Sequence, residues 1–438
     1  MSIELITVMM FGSLFFLLGL GLPVAFACGS VGVLFTAILQ GPAAVNLVST
    51  RIFGLMVQYL LAAIPLFIFM ACVLERSGII EELYELVYQW LGFLKGGVAS
   101  ATIIACTLLA AMVGVIGASE VTMGVIALPQ MLKRKYNKFI ACGSILAGGT
   151  LGILIPPSVM LIVYGLVDNS SIGQLYAGAI LPGLLLASLF TAYVSVRCYL
   201  NPKLGPPVPP EDRLPLADRV RLLLRIIPPM ILIFLVLGTI FTGIAAPTEA
   251  AGVGAAGAIV MTAVQRKLTW KGLVQAAEAT LKSSAMVMWT IFGANIFVGL
   301  YVMVGGGRFV SQVLLDSGLS HWGIIIVMQF ILIFLGCFID WVGIIMLCVP
   351  IFGPIIRQLG FDPIWFGVLF AVNLQVSFLS PPFGYALFYL KGVAPPEIST
   401  TDIWKSSAPF IGLQILGVIA VMVFPEIILW LPRLVYRG

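Results

Sequence analysis

The sequence predicts an all-α polytopic membrane protein of two inverted-topology repeats, each carrying a re-entrant helical hairpin and a discontinuous transmembrane helix. Three observations lead there. The 438 residues are 61% hydrophobic and only 9% charged, with a mean hydropathy of +1.13, where a water-soluble domain carries roughly 25% charge. Four prolines recur at nearly one spacing: Pro23 with Pro247, Pro129 with Pro350, Pro156 with Pro381 and Pro182 with Pro409. Polar and Gly/Pro-rich breaks fall inside apolar stretches at matching places in the two halves. At about 20 apolar residues per crossing, roughly a dozen spanning or re-entrant segments fit. Runs such as 226–240 and 321–339 are too continuously apolar for the alternating strands of a barrel.

Composition also removes several function classes. The net charge of +5 is small, and the basic residues lie in short loops without interleaved aromatics, so nucleic acid is not a partner. Seven cysteines without metal-type spacing read as small buried hydrophobes. His321 is the single histidine, and no nucleophile-elbow, zinc-protease or phosphate-loop motif is present, which argues against an enzyme. The first apolar run has Glu4 and no basic residue before it, and reads as a crossing rather than a signal peptide.

Copy one runs over 1–199 and copy two over 226–438, joined by a Pro- and charge-rich linker at 200–225. Each begins with two crossings hinged at the first proline, 5–39 and 226–264, and a third at 52–74 and 284–304. An amphipathic segment follows. Over 79–90, Ile79, Ile80, Leu83, Leu86, Val87 and Trp90 share one helical face while Glu81, Glu82, Glu85 and Gln89 face elsewhere, as in an interfacial helix. Phe309, Val310, Val313 and Leu314 form a shorter analogue.

The stretch 97–131 is interrupted by Gly117-Ala118-Ser119-Glu120-Val121-Thr122, and 321–356 by Asp340-Trp341-Val342-Gly343. Each is expected to be a hairpin with the break as its tip. The next helices, 138–167 and 364–392, are expected to unwind over Gly148–Gly152 with Pro156-Pro157, and over Ser377–Gly384 with Pro381-Pro382. Proline lacks an amide and frees carbonyls, and at bilayer depth such groups need protein, an ion or trapped water.

Basic loops mark the cytoplasmic side. Three loops, holding Lys133 to Lys138, Arg197 to Arg225 and Arg266 to Lys271, gather 13 of the 23 basic residues on one side. Both termini then lie outside, and the copies face opposite ways.

Three motifs carry a family resemblance: Ala246-Pro247-Thr248-Glu249-Ala250-Ala251, Gly149-Thr150-Leu151-Gly152-Ile153-Leu154-Ile155-Pro156-Pro157-Ser158 and Ser377-Phe378-Leu379-Ser380-Pro381-Pro382-Phe383-Gly384. With them, nearly the whole chain resembles the large membrane subunit of TRAP (tripartite ATP-independent periplasmic) transporters, in the ion transporter superfamily. The resemblance implies an elevator-type Na+-driven importer of small organic acids in a bacterial inner membrane. It also implies a small four-helix membrane subunit and a periplasmic substrate-binding protein. One departure is the first hairpin tip, where Ala118 and Glu120 flank Ser119 in place of consecutive small hydroxyl residues.

Sodium needs several oxygen ligands, which hydroxyls and freed carbonyls at helix breaks supply. The expected ligands are Ser119, Gly148, Thr150 and Pro156 at one site, and Asp340, Gly343, Asn373, Ser377 and Ser380 at the other. Ser119, Glu120, Thr150, Asn373 and Ser380 are expected to line the substrate space. For Glu120, ion binding, proton carriage and helix capping stay open; Glu249 is expected to cap a helix start, and Gly305-Gly306-Gly307 to be a hinge. The alternative function is a stand-alone Na+- or H+-coupled carboxylate symporter without a binding protein.

Overall fold

The helices begin where the sequence offers side-chain caps. Asn137, Ser158, Ser171, Thr269, Ser320, Asp340, Asp362 and Ser399 each accept a bond from a backbone amide two or three residues on, which satisfies a donor that the helix itself leaves unpaired. Glu249 also caps, its Oε2 accepting the Ala246 amide at 2.8 Å. The computed structural model describes residues 1–114, 116–381 and 384–436; Pro382 and Phe383 of the third motif lie outside the described residues.

In the first half the helices are α1 (Ile3–Gly19), α2 (Val24–Gln40), α3 (Asn46–Met56), α4 (Ala63–Arg76), α5 (Ile79–Leu91), α6 (Gly97–Val113), α7 (Ile116–Lys133), α8 (Lys138–Thr150), α9 (Val159–Asp168) and α10 (Ile172–Leu200). The second half continues with α11 (Leu216–Phe241), α12 (Pro247–Val264), α13 (Trp270–Met303), α14 (Gly306–Leu315), α15 (His321–Gly336), α16 (Trp341–Gln358), α17 (Pro363–Leu379), α18 (Tyr385–Val393), α19 (Thr400–Val423) and α20 (Glu426–Val435). Among the described residues there is no strand, and seven helices are long and apolar enough to cross a membrane, from Tyr59–Arg76 to Thr400–Val423. Gly305, in the left-handed region at φ 93°, joins α13 to α14 at the expected hinge.

The packing is reciprocal between the halves. Helix α13 lies on α2, and α4 lies on α12. A Cβ on Gly32 would stand 2.8 Å from the Phe297 amide, and one on Gly293 would overlap the Ala25 carbonyl, so glycine lets these backbones meet as small residues do between membrane helices. Within each half α6 packs on α8 and α15 on α17; across the halves α7, which also packs on α8, meets α18, and α16 meets α9.

Several expectations shift. The third crossing of the first half is split by Val57-Gln58, so α4 with its preceding 3₁₀ turn starts at Tyr59, while its counterpart α13 is one helix of 34 residues. In α5 it is Trp90 that is exposed and Gln89 that is buried. Gln89 points inward because its Oε1 accepts the Leu214 amide at 3.0 Å while its Nε2 donates to Glu85.

That bond belongs to a strap. The segment joining the halves runs along the base of the first hairpin: Val208 donates its amide to Gly92, Gly205 accepts from Gly96, Leu204 accepts from Asn137, and Asp212 pairs with Arg134 at 2.9 Å. Glu82 then bridges Arg225 at 3.5 Å and Lys267 at 2.8 Å. These pairs bring the three basic loops to one end of the molecule and give an acidic residue of α5 its partners there. Exposed pairs of this kind contribute little stability, about 0–1 kcal/mol each; their information is topological.

Candidate ion and substrate site

The first hairpin turns earlier than expected. Its break is at Gly114, at φ 65°, where a Cβ would come 2.5 Å from the Pro157 carbonyl oxygen. Only glycine accepts both the left-handed backbone and the close approach. Val115 lies outside the described residues. Helix α7 resumes at Ile116, so Ser119 and Glu120 stand in its first turns rather than in an open tip, and both are buried.

The break in the next helix also starts later than expected. Helix α8 continues through Gly148, Gly149 and Thr150, and the chain leaves helical form only after a 3₁₀ turn at Leu151–Ile153. The glycines serve packing instead. A Cβ on Gly148 would stand 2.7 Å from Cys106 Cβ, and one on Gly149 would overlap Glu120 Cγ. The Gly148 carbonyl is not an unpaired oxygen, because it accepts the Leu151 amide. The Thr150 hydroxyl donates to Ala147 O at 2.9 Å and accepts Gln414 Nε2 at 3.1 Å. Beyond the 3₁₀ turn come the cis Pro156-Pro157 bond and the buried Ser158, whose hydroxyl bonds to Ile153 O and caps α9. The first tip and the first break are therefore in contact, through Gly114 with Pro157 and through Glu120 with Gly149.

In the second half, α15 ends at Gly336 and α16 begins at Trp341. Asp340 is half-buried and caps α16, its Oδ1 accepting the Gly343 amide at 3.3 Å. Gly343 is thus helical, with its carbonyl in the α16 ladder rather than at an open tip; a Cβ there would stand 2.9 Å from Val24 Cγ1 of α2. Helix α17 runs to Leu379, so Ser377 is still helical and the break starts at Ser380, whose hydroxyl donates to Val376 O at 2.7 Å. Asn373 Nδ2 donates to Gln329 O at 2.9 Å, Ser377 Oγ lies 3.5 Å from Leu332 O, and a Cβ on Gly336 would overlap Ser377. These contacts seat the first hairpin arm on α17. Among the described residues no bond joins Asp340 to Asn373, Ser377 or Ser380.

The two halves of the chain meet across the molecule. Gly117 faces the Tyr389 ring, with a Cβ there 3.0 Å from Cζ, and Gly124 lies against Leu390 and Val393. On the other side, Arg357 at the end of α16 pairs with the buried Asp168 at the end of α9 at 2.9 Å. Each hairpin's second arm thereby holds the second half of the other copy's broken helix.

Sequence reasoning passed over three amide side chains at these breaks. Gln329, Gln375 and Gln414 are buried, and all three have side-chain oxygens without a hydrogen-bond partner, as has Asn373 Oδ1. An uncharged Gln in an apolar stretch is a weak signal beside Gly and Pro, but it costs free energy when buried unpaired and therefore marks the same region.

With this geometry in hand, the comparison with known proteins is direct. The family described as "Tripartite ATP-independent periplasmic transporter, DctM component" matches residues 11–427. The chain belongs to that family. The TRAP transporter large permease has relatives of nearly its own length. The C4-dicarboxylate TRAP transporter large permease protein DctM of Vibrio cholerae is 30% identical over 457 residues, covering 99% of this chain and 98% of the relative. The ectoine/5-hydroxyectoine large permease UehC of Ruegeria pomeroyi is 31% identical over 381 residues, 86% of each. The YdaH transporter of Alcanivorax borkumensis, whose crystal structure was described as revealing an unusual topology, shares the fold at a TM-score of 0.61 over 87% of both chains, with 14% identity. The named relatives are transporter subunits, not enzymes, and the chain is a multi-pass membrane protein.

Proposed function

We propose that this TRAP large permease imports a small organic acid, driven by Na+, with the hairpins and broken helices moving as one body against a scaffold of outer crossings. The observation that carries the reading is the reciprocal packing of the two halves, in which α7 grips α18 as α16 grips α9. Such an exchange is what two inverted copies related by a pseudo-two-fold axis produce. Clefts between the proposed body and scaffold support the sliding: one of about 740 Å³ lies between Arg308, Gln312 and Met303 on one side and Pro350, Pro354 and Gln358 on the other. A smaller one of about 260 Å³ separates Asn295 and Gln58 from Asn169 and Met346.

In this reading Ser119, Gly148, Thr150 and Pro156 supply oxygens to one sodium, and Asp340, Gly343, Asn373, Ser377 and Ser380 to another. Gly148 and Gly343 do so only through the second lone pair of carbonyls already in a helix. The substrate lies between the tips, lined by Ser119, Glu120, Thr150, Asn373 and Ser380. Membership of a family described as tripartite and periplasmic supports a substrate-binding protein, a small membrane subunit and an inner-membrane setting with the basic end in the cytoplasm. Sodium moving inward down 100 mV supplies about 2.3 kcal/mol per charge.

The double variant Ser119→Ala with Thr150→Ala tests the first site. Each lost oxygen contributes about 1 kcal/mol, so the sodium concentration for half-maximal uptake is expected to rise roughly 10-fold or more. Unchanged sodium dependence removes both residues from the site.

A further inference from the structure

Glu120 is fully buried, and neither of its carboxylate oxygens has a hydrogen-bond partner. None of the ion pairs among the described residues includes it. It does not cap α7, since a cap must accept an amide. An ionised carboxylate held this way inside a protein costs several kcal/mol unless a counter-charge joins it, and among the described residues no Lys, Arg or His pairs with it.

The surroundings indicate what the counter-charge is. Acceptors with spare capacity lie beside the α8 break. Thr150 spends its proton on Ala147 O, Gln414 spends an amide proton on Thr150, and Gln414 Oε1 is left as a second buried oxygen without a partner. Buried oxygens left without partners in one region suit a hard cation. Among the described residues no three Asp, Glu, His or Cys gather as a metal cluster, so the single carboxylate matches a single positive charge. The carboxylate is seated against α8 by a residue without a side chain, because any Cβ on Gly149 would overlap Glu120 Cγ and approach its Oε1 to 2.8 Å.

We infer that Glu120 is the charged ligand of a monovalent cation bound between the start of α7 and the end of α8. This rests on the reading that the hairpin tips and helix breaks hold ions, and it adds a formal charge to a site otherwise made of neutral oxygens. Each hairpin then carries one carboxylate near its turn, Glu120 in the first and Asp340 in the second. A cation held by Glu120 also gives a substrate carboxylate a positive neighbour, which the site otherwise lacks.

Sodium binding to the purified full-length chain, together with any small membrane subunit that accompanies it, tests this. Titration with NaCl at constant ionic strength is followed by calorimetry and by sodium-dependent thermal stabilisation. Glu120→Gln is expected to weaken one class of sodium site at least 10-fold and leave the other intact; the remaining response shows that the variant is folded. Glu120→Asp is expected to fall between. Gly149→Ala leaves the charge in place but displaces the Glu120 side chain, and is expected to weaken the same class, which keeps the test available should Glu120→Gln not fold. Wild-type sodium affinity in both Glu120→Gln and Gly149→Ala overturns the inference, as does a wild-type protein that binds none of Na+, Li+ and K+. Sodium binding that depends on Glu120 while uptake ignores the sodium gradient overturns the coupling mechanism alone.

Discussion

Asp340→Asn is expected to lower sodium-driven uptake roughly 100-fold while the protein stays folded. Asparagine caps a helix about as well as aspartate, so the bond from the Gly343 amide at 3.3 Å survives the change. What disappears is the negative charge at the turn of the second hairpin. A unit charge about 4 Å from a cation interacts with roughly 4 kcal/mol at an effective dielectric constant of 20. With part of that recovered by the amide oxygen, a loss of about 3 kcal/mol corresponds to about two decades in affinity. Asp340→Ala removes the cap as well and adds about 1 kcal/mol of destabilisation. Uptake by proteoliposomes, measured beside thermal unfolding, separates the two effects. Wild-type uptake in Asp340→Asn would leave Asp340 as a helix cap and nothing more.

Arg357→Ala is expected to produce the largest loss of stability. Its guanidinium Nη2 donates to the Asp168 carboxylate at 2.9 Å and to the Asp168 carbonyl at 2.8 Å, and the Asp168 side chain is only 2% exposed. Ser170 also bonds to that carboxylate, but a single neutral donor does not balance a buried charge. Stripping one member from a fully buried pair costs about 3–5 kcal/mol. Because Arg357 is 44% exposed, solvent takes up part of this, and about 2–3 kcal/mol is expected. Replacing both partners, as Asp168→Asn with Arg357→Ala, is expected to be milder than the single change, since no orphan charge is left. Denaturation in detergent measures both variants; a single variant as stable as wild type would show that the pair does not hold α16 to α9.

Both residues show what could be read from the chain and what could not. The existence and order of the elements were legible, because helices and their interruptions follow from local apolar runs and from proline. A helix expected over 79–90 is present as α5, and interruptions after α6, α8, α15 and α17 follow one another in the expected order. The positions of the breaks were less legible. Glycine at 148 and 149 reads as helix-breaking at about 1 kcal/mol per residue, yet buried contacts with Cys106 and Glu120 outweigh that preference and keep α8 intact. The turn of the first hairpin was sought in the polar residues at 117–122. It lies instead at Gly114, selected by a left-handed backbone and by contact with Pro157, which is 43 residues away. Partners distant in sequence left no local trace: Arg357 with Asp168, Glu82 with Arg225 and Lys267, and the strap through Val208 and Gly205. A Pro-rich, charged segment reads as a free linker because its composition cannot reveal the amides and carbonyls that it meets.

The reciprocal grip of the halves links the two breaks mechanically. A break in one copy is braced by a hairpin of the other, so displacing either hairpin disturbs both candidate sites. The most direct measurement of the account is substrate uptake by the reconstituted complex with and without an inward sodium gradient, at fixed membrane potential and with the binding protein supplied. The account predicts uptake that falls to background when the gradient is removed and returns when it is restored. Uptake that continues undiminished without sodium would contradict it.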